Sequence, residues 1–112
     1  MVLSIACLLI LGRQPVAVGL FMPPWDKLAH LVVFAVIGAA AGIASGAKDG
    51  ARLNWCILVA LTVGTIDEIH QHYLPGRSAS WADLVADGMG GFIGGAMLHA
   101  ASAAVNRQFK RR

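Results

Sequence analysis

The chain has 112 residues, of which 57% are hydrophobic and only 13% charged, with a formal net charge of +3. A domain of this size has too little interior to bury that much apolar side chain, and soluble domains carry about 25% charge, so a soluble enzyme and a disordered chain are excluded. Nucleic-acid binding is excluded as well: four of the nine basic residues (Arg107, Lys110, Arg111, Arg112) crowd the last six positions, which makes a tail and not a groove-lining patch.

The apolar residues fall in blocks. The first is Met1 to Gly12, interrupted by Arg13, Gln14 and Pro15, with Val16 to Met22 apolar again. It is short for a straight crossing and spans only with Arg13 snorkelling or with residues 16–20 included. It lacks a basic n-region and Arg13 breaks it, so it is expected to be retained and not cleaved as a signal peptide. The second block runs from Leu28 to about Gly46 without a charge. The third runs from Leu53 to Ile66 and reaches Tyr73 if polar residues are admitted. The fourth runs from Trp81 to about Val105, with Asp83 and Asp87 near its start. A bilayer core of ~30 Å needs a helix of ~20 residues. The expected fold is therefore all-α: one integral membrane bundle of about four transmembrane helices with short loops, spanning residues 1–112. Cys7 and Cys56 both lie in apolar blocks and read as small buried residues, not as a disulfide.

Loop charges set the expected orientation. Lys48, Arg52, Arg107, Lys110, Arg111 and Arg112 share one side of a four-crossing bundle, against Arg13, Lys27 and Arg77 on the other. The positive-inside rule then puts the loop at 48–52, both termini and the basic tail 106–112 in the cytoplasm of a cell inner or plasma membrane. Trp25, Tyr73 and Trp81 read as interfacial anchors on the outer side.

That topology gathers the ionisable residues. Asp26, Lys27 and His30 lie where the second block enters from outside. Asp67, Glu68, His70, Gln71 and His72 lie where the third block exits, Arg77 is in the outer loop, and Asp83 and Asp87 open the fourth block. Groups this costly in lipid do not collect at one depth on three helices without a common purpose; one water-accessible cavity is expected. Spacings of four put Asp26 with His30, Asp67 with Gln71, Glu68 with His72, and Asp83 with Asp87 on shared helix faces. Five carboxylates face Lys27 and Arg77, so the excess negative charge must be protonated, hydrated or met by a cation. No cofactor is required by the sequence, and a divalent cation is one way to meet that excess; the metal is not specified.

Plainer readings stand beside these. Asp26 fits a helix N-cap, and Ser80-x-x-Asp83 fits a capping box. His70 and His72, two apart, point to different faces, which argues against a metal site built from both. His99 reads as a partner for a neighbouring helix. Asp67-Glu68 has no capping role at a helix C-terminus, where the dipole disfavours acids, and Lys27 and Arg77 are the expected partners. Gly38, Gly42 and Gly46, and the pairs Gly90/Gly94 and Gly91/Gly95, allow close helix approach, within the chain or in a homo-oligomer.

The residues also carry a resemblance. Asp26-Lys27-Leu28-Ala29-His30 resembles the D-K-x-x-H element of VanZ-like membrane proteins. Asp67-Glu68-Ile69-His70-Gln71 with Pro75-Gly76-Arg77 resembles their D-E-x-x-Q…P-G-R element. Asp83-x-x-x-Asp87-x-x-Gly90-x-x-x-Gly94 resembles their closing D-x-x-x-N-x-x-G-x-x-x-G, with Asp87 where Asn is often found. The order and spacing hold over residues 26–94. The resemblance implies a small multi-helix membrane protein, and the family's namesake is associated with teicoplanin resistance.

Three functions follow as expectations. In the first, the outward-facing cluster acts on or responds to a cell-envelope component, for example a lipid-linked precursor. Asp67 or Glu68 supplies acid/base chemistry with His30 oriented by Asp26, and Lys27, Gln71, Arg77, Asp83 and Asp87 bind the substrate. In the second, the cluster is an inter-helix network of a non-catalytic accessory protein whose partners are membrane lipids. The third, a proton or cation carrier, needs polar groups through the membrane depth, and the inner halves of blocks two and three carry almost none.

Overall fold

The computed structural model describes residues 25–76 and 78–112. They form three α-helices: α1 over Trp25–Ala44, α2 over Asp49–His72 and α3 over Trp81–Lys110, and no strand occurs among the described residues. The first apolar block, on which the expectation of a fourth helix rests, lies outside the described residues, as does Arg77.

Each helix exceeds its apolar block. The second block starts at Leu28, but α1 begins at Trp25 and so takes Asp26 and Lys27 into its first turn. α2 carries Asp67, Glu68 and Gln71 as regular helical residues and closes at Tyr73, whose N–H bonds the His70 carbonyl. α3 continues past Val105 through Asn106, Arg107 and Gln108 to Lys110, so most of the expected tail is a solvated helix end. Nothing in that stretch breaks a helix, and basic side chains in a last turn complement the dipole. α1 and α3 are long and apolar enough to cross a membrane.

The three helices pack against one another, α1 with α3 most extensively. Small residues make this close. Gly38, Gly91 and Cys56 meet where the three backbones converge: a Cβ on Gly38 would lie 2.8 Å from the Gly91 Cα and 3.2 Å from the Cys56 carbonyl oxygen. A Cβ there has no room, so alanine would force the helices apart. On α3, Gly90 and Gly94 face α1 while Gly91 and Gly95 face α2, so both glycine stripes are buried by the chain's own helices.

The distribution of side chains is the reverse of a soluble domain. The exposed surface includes Val32, Val36, Trp55, Leu58, Ile66, Ile69, Val85, Met89, Phe92 and Met97. The buried set is small or polar: Ala41, Cys56, Ala60 and Ala86 with Asp67, Glu68, Gln71, Asp83 and Asp87, around the larger Phe34, Ile37 and Val63. So much exposed apolar surface suits an apolar solvent.

Candidate functional site

The buried polar residues gather at one end of the bundle. That end is formed by the start of α1, the last two turns of α2 and the start of α3. Trp25, Tyr73 and Trp81 ring it, all strongly exposed. On α2, Gly64, Asp67, Glu68 and Gln71 follow i, i+3, i+4, i+7 and so share the face that Cys56, Ala60 and Val63 bury lower down. On α3, Asp83, Ala86, Asp87 and Gly90 do the same.

Three sets of contacts hold the cluster. Lys27 reaches from α1 to α3, its Nζ 3.0 Å from Asp83 Oδ1 and 3.5 Å from Asp26 Oδ2. The Lys27 side chain is 41% exposed, so the pair is half screened by its surroundings and not a dry ion pair. Deeper, His30 Nδ1 lies 2.7 Å from Asp87 Oδ1. A proton must sit between them: either Nδ1–H donates to the carboxylate or a protonated carboxyl donates to the ring. The His30 ring stacks on Phe34, with centroids 5.9 Å apart. On α2, Gln71 Nε2 donates to Asp67 Oδ2, and the backbone N–H of Ser80 donates to Glu68 Oε2.

These contacts revise four expectations. His30 is oriented by Asp87 and not by Asp26; Asp26 instead accepts the Lys27 backbone N–H at 2.8 Å. Lys27 pairs with Asp83 and Asp26, whereas Asp67 and Glu68 are met by an amide side chain and a backbone N–H. Ser80 does precede α3 as its N-cap, but its side chain makes no capping bond. The carboxylate of a capping box is supplied across the bundle: Glu68 takes the Ser80 N–H, which leaves Asp83 to Lys27. Finally, Asp87, which was expected to bind substrate, is completely buried on His30 as a hydrogen-bonded carboxyl group.

The remaining expectations divide. Gln71 shares a face with Asp67 and bonds it. His72 is exposed while His70 is half-buried, in keeping with different faces. Among the described residues no group of three or more His, Cys, Asp or Glu side chains is arranged to hold a metal ion. His99 is exposed on α3 at the opposite end, where it lines a small cleft, and among the described residues it makes no side-chain bond to a neighbouring helix, so that expectation is not met. Cys56 is a free, buried thiol, and Cys7 lies outside the described residues.

Two features of the site were not anticipated. Gly64 is a seat for Asp87: a Cβ there would collide with the Asp87 carboxylate and lie 3.0 Å from its Cγ. The signal was present, because Gly64 precedes Asp67 and Glu68 by three and four on their own face. The second feature is an imbalance. Among the described residues, Glu68 Oε1 and Asp87 Oδ2 are buried without a hydrogen-bond partner. Each such group costs about 1–3 kcal/mol, and more if charged, so it demands a reason. Asp87 Oδ2 is turned onto Gly64 and enclosed, whereas Glu68 borders a cleft that Thr65, His72, Ser80 and Trp81 also line, from which a donor can approach.

Residues 4–102 match the sequence model of the VanZ/LLP1 family, and the chain belongs to that family. No curated protein and no solved structure matches the chain.

Proposed function

We propose that this member of the VanZ/LLP1 family is a multi-pass protein of the cell inner or plasma membrane whose polar cluster opens to the outer face and engages an envelope component. Both termini, and the basic end of α3, lie in the cytoplasm on this reading, because Lys48, Arg52, Arg107 and Lys110 share the end opposite the cluster. The observation that carries the proposal is the pair of buried carboxylate oxygens on Glu68 and Asp87 that have no hydrogen-bond partner among the described residues, with Glu68 at the wall of the outer cleft. They suit a ligand rich in hydroxyl or amine donors, such as the head of a lipid-linked envelope precursor. Asp87 with His30, and Glu68 beside Asp67, are the groups able to accept or return a proton; Lys27, Gln71, Arg77 and Asp83 complete the binding side. Asp26 fixes Lys27. The role at the cell level is a change in glycopeptide susceptibility.

A second reading has its own support. The bonds Lys27–Asp83, His30–Asp87 and Glu68–Ser80 each join two different elements, as an inter-helix network would. Asp87→Asn, Glu68→Gln and Asp67→Asn separate the two. All three keep an acceptor in place while removing the charge. A glycopeptide-sensitive bacterium would express each at matched membrane abundance, with thermal melts of the purified proteins alongside. Wild type shifting susceptibility, and the variants losing the shift with unchanged melts, is the expected result. Variants that melt lower and lose the shift only in proportion to abundance would establish the network reading instead.

A further inference from the structure

The other end of the bundle carries a second constellation, unrelated to the polar cluster. α1 has ended at Ala44, and α3 runs on past it. Gly95, His99, Ser102, Ala103 and Asn106 recur at helical spacing and face the first turn of α2 across a cleft of about 110 Å³ that Asp49 and Arg52 close. Arg52 is fixed in its wall: Nε donates to the Ala47 carbonyl at 2.9 Å and Nη1 to Ser102 Oγ at 2.8 Å. The Ser102 oxygen accepts there, which leaves its own O–H to donate elsewhere. A positioned guanidinium, a hydroxyl, an imidazole and the Asn106 amide thus surround a space large enough for a phosphate-sized group. Asp49 is the opposing charge in the wall.

The level of the cleft identifies the source of such a group. α3 has 30 residues, about 45 Å, against a hydrocarbon core of ~30 Å. The surplus leaves Ser102 near the membrane boundary and puts Arg107 and Lys110 beyond it. A cleft between helices at that depth, with a fixed guanidinium and a basic helix end beside it, suits an anionic phospholipid head group.

We propose that this cleft between α2 and α3 is a binding site for the phosphodiester head group of an anionic phospholipid, with Arg52, Ser102, His99 and Asn106 as donors. Lys48, Arg107, Lys110, Arg111 and Arg112 draw the same lipid to this end without forming the site.

The test uses the full chain in neutral detergent, melted against rising phosphatidylglycerol or phosphatidylcholine of the same acyl composition. Phosphatidylglycerol is expected to raise the melting temperature and phosphatidylcholine to leave it unchanged. Asn106→Asp, at an exposed position, should raise the half-maximal phosphatidylglycerol concentration about tenfold, the loss of one charge-assisted contact with added repulsion. Asp49→Asn should lower it several-fold. Gln108→Glu adds the same charge at the same end outside the cleft and should change it far less. Equal weakening by Gln108→Glu and Asn106→Asp would overturn the site in favour of diffuse attraction to the basic helix end. Inorganic phosphate reproducing the shift at equal phosphate concentration would overturn the lipid assignment.

Discussion

Gly64→Ala tests whether the polar cluster is a close-packed unit. The added Cβ would meet Asp87, whose side chain is fully enclosed and tied to His30 at 2.7 Å, so the carboxyl group has nowhere to retreat without leaving the histidine. Overpacking of one methyl costs about 1–3 kcal/mol. Loss of a hydrogen bond to a charged group adds about 1.5–3 kcal/mol. Replacing a helical glycine by alanine returns about 1 kcal/mol. The net is a loss of about 1.5–5 kcal/mol. Gly50 is the control, being on the same helix, exposed, and with nothing within 4 Å of its would-be Cβ. Gly50→Ala should be neutral or gain up to about 1 kcal/mol. Thermal or denaturant unfolding of the purified variants in one detergent makes the comparison. If Gly64→Ala unfolds with or after wild type, Asp87 is not wedged against α2 and the packing argument fails.

Glu68→Ala should cost about 1–3 kcal/mol in the same assay because it leaves the Ser80 N–H at the start of α3 without its acceptor, whereas Glu68→Gln keeps an acceptor and should cost less than half of that. Equal losses would mean that the cross-helix cap contributes nothing. For orientation, a cysteine at Ala79 should react with a membrane-impermeant maleimide in intact cells, and one at Gln108 only after permeabilisation, in a background lacking Cys7 and Cys56. The opposite pattern would invert the topology.

What the sequence reveals and conceals here has a physical division. Periodicity belongs to a single helix, so the shared face of Asp67 and Gln71 is legible from spacing, as are the glycine faces of α3. Partner choice is not. Lys27 meets Asp83 and His30 meets Asp87 across 56 and 57 residues of chain, and which contact forms depends on how α1 and α3 are rotated about their axes. Local rules therefore misassign these groups: Asp26 is four residues from His30, and Asp83 is three from Ser80, yet each is engaged elsewhere. The ends of α1 and α3 are hidden for a different reason. An apolar block stops at the last hydrophobic residue, while a helix stops only where its backbone bonds fail, so charged turns at Trp25–Lys27 and Asn106–Lys110 escape the pattern.

The depth of the cluster bears on which function it can serve. Trp25, Tyr73 and Trp81 mark the interface on the three helices, as exposed aromatics do. At 1.5 Å per residue, His30 lies about 7.5 Å inward of Trp25, Asp67 about 9 Å inward of Tyr73, and Asp87 about 9 Å inward of Trp81. The three groups thus occupy a single layer, one helical turn and a half below the aromatic ring. The next layer inward is apolar: Phe34 closes against His30, and Ile37, Ala60 and Val63 continue the seal. A carrier would need the polar groups to go on from there, and a purely structural network would be expected to satisfy Glu68 Oε1 and Asp87 Oδ2, which have no partner among the described residues. A shallow layer, floored by apolar side chains and short of hydrogen-bond donors among the described residues, is what the proposed head-group reading requires: a ligand that enters from one face and goes no further.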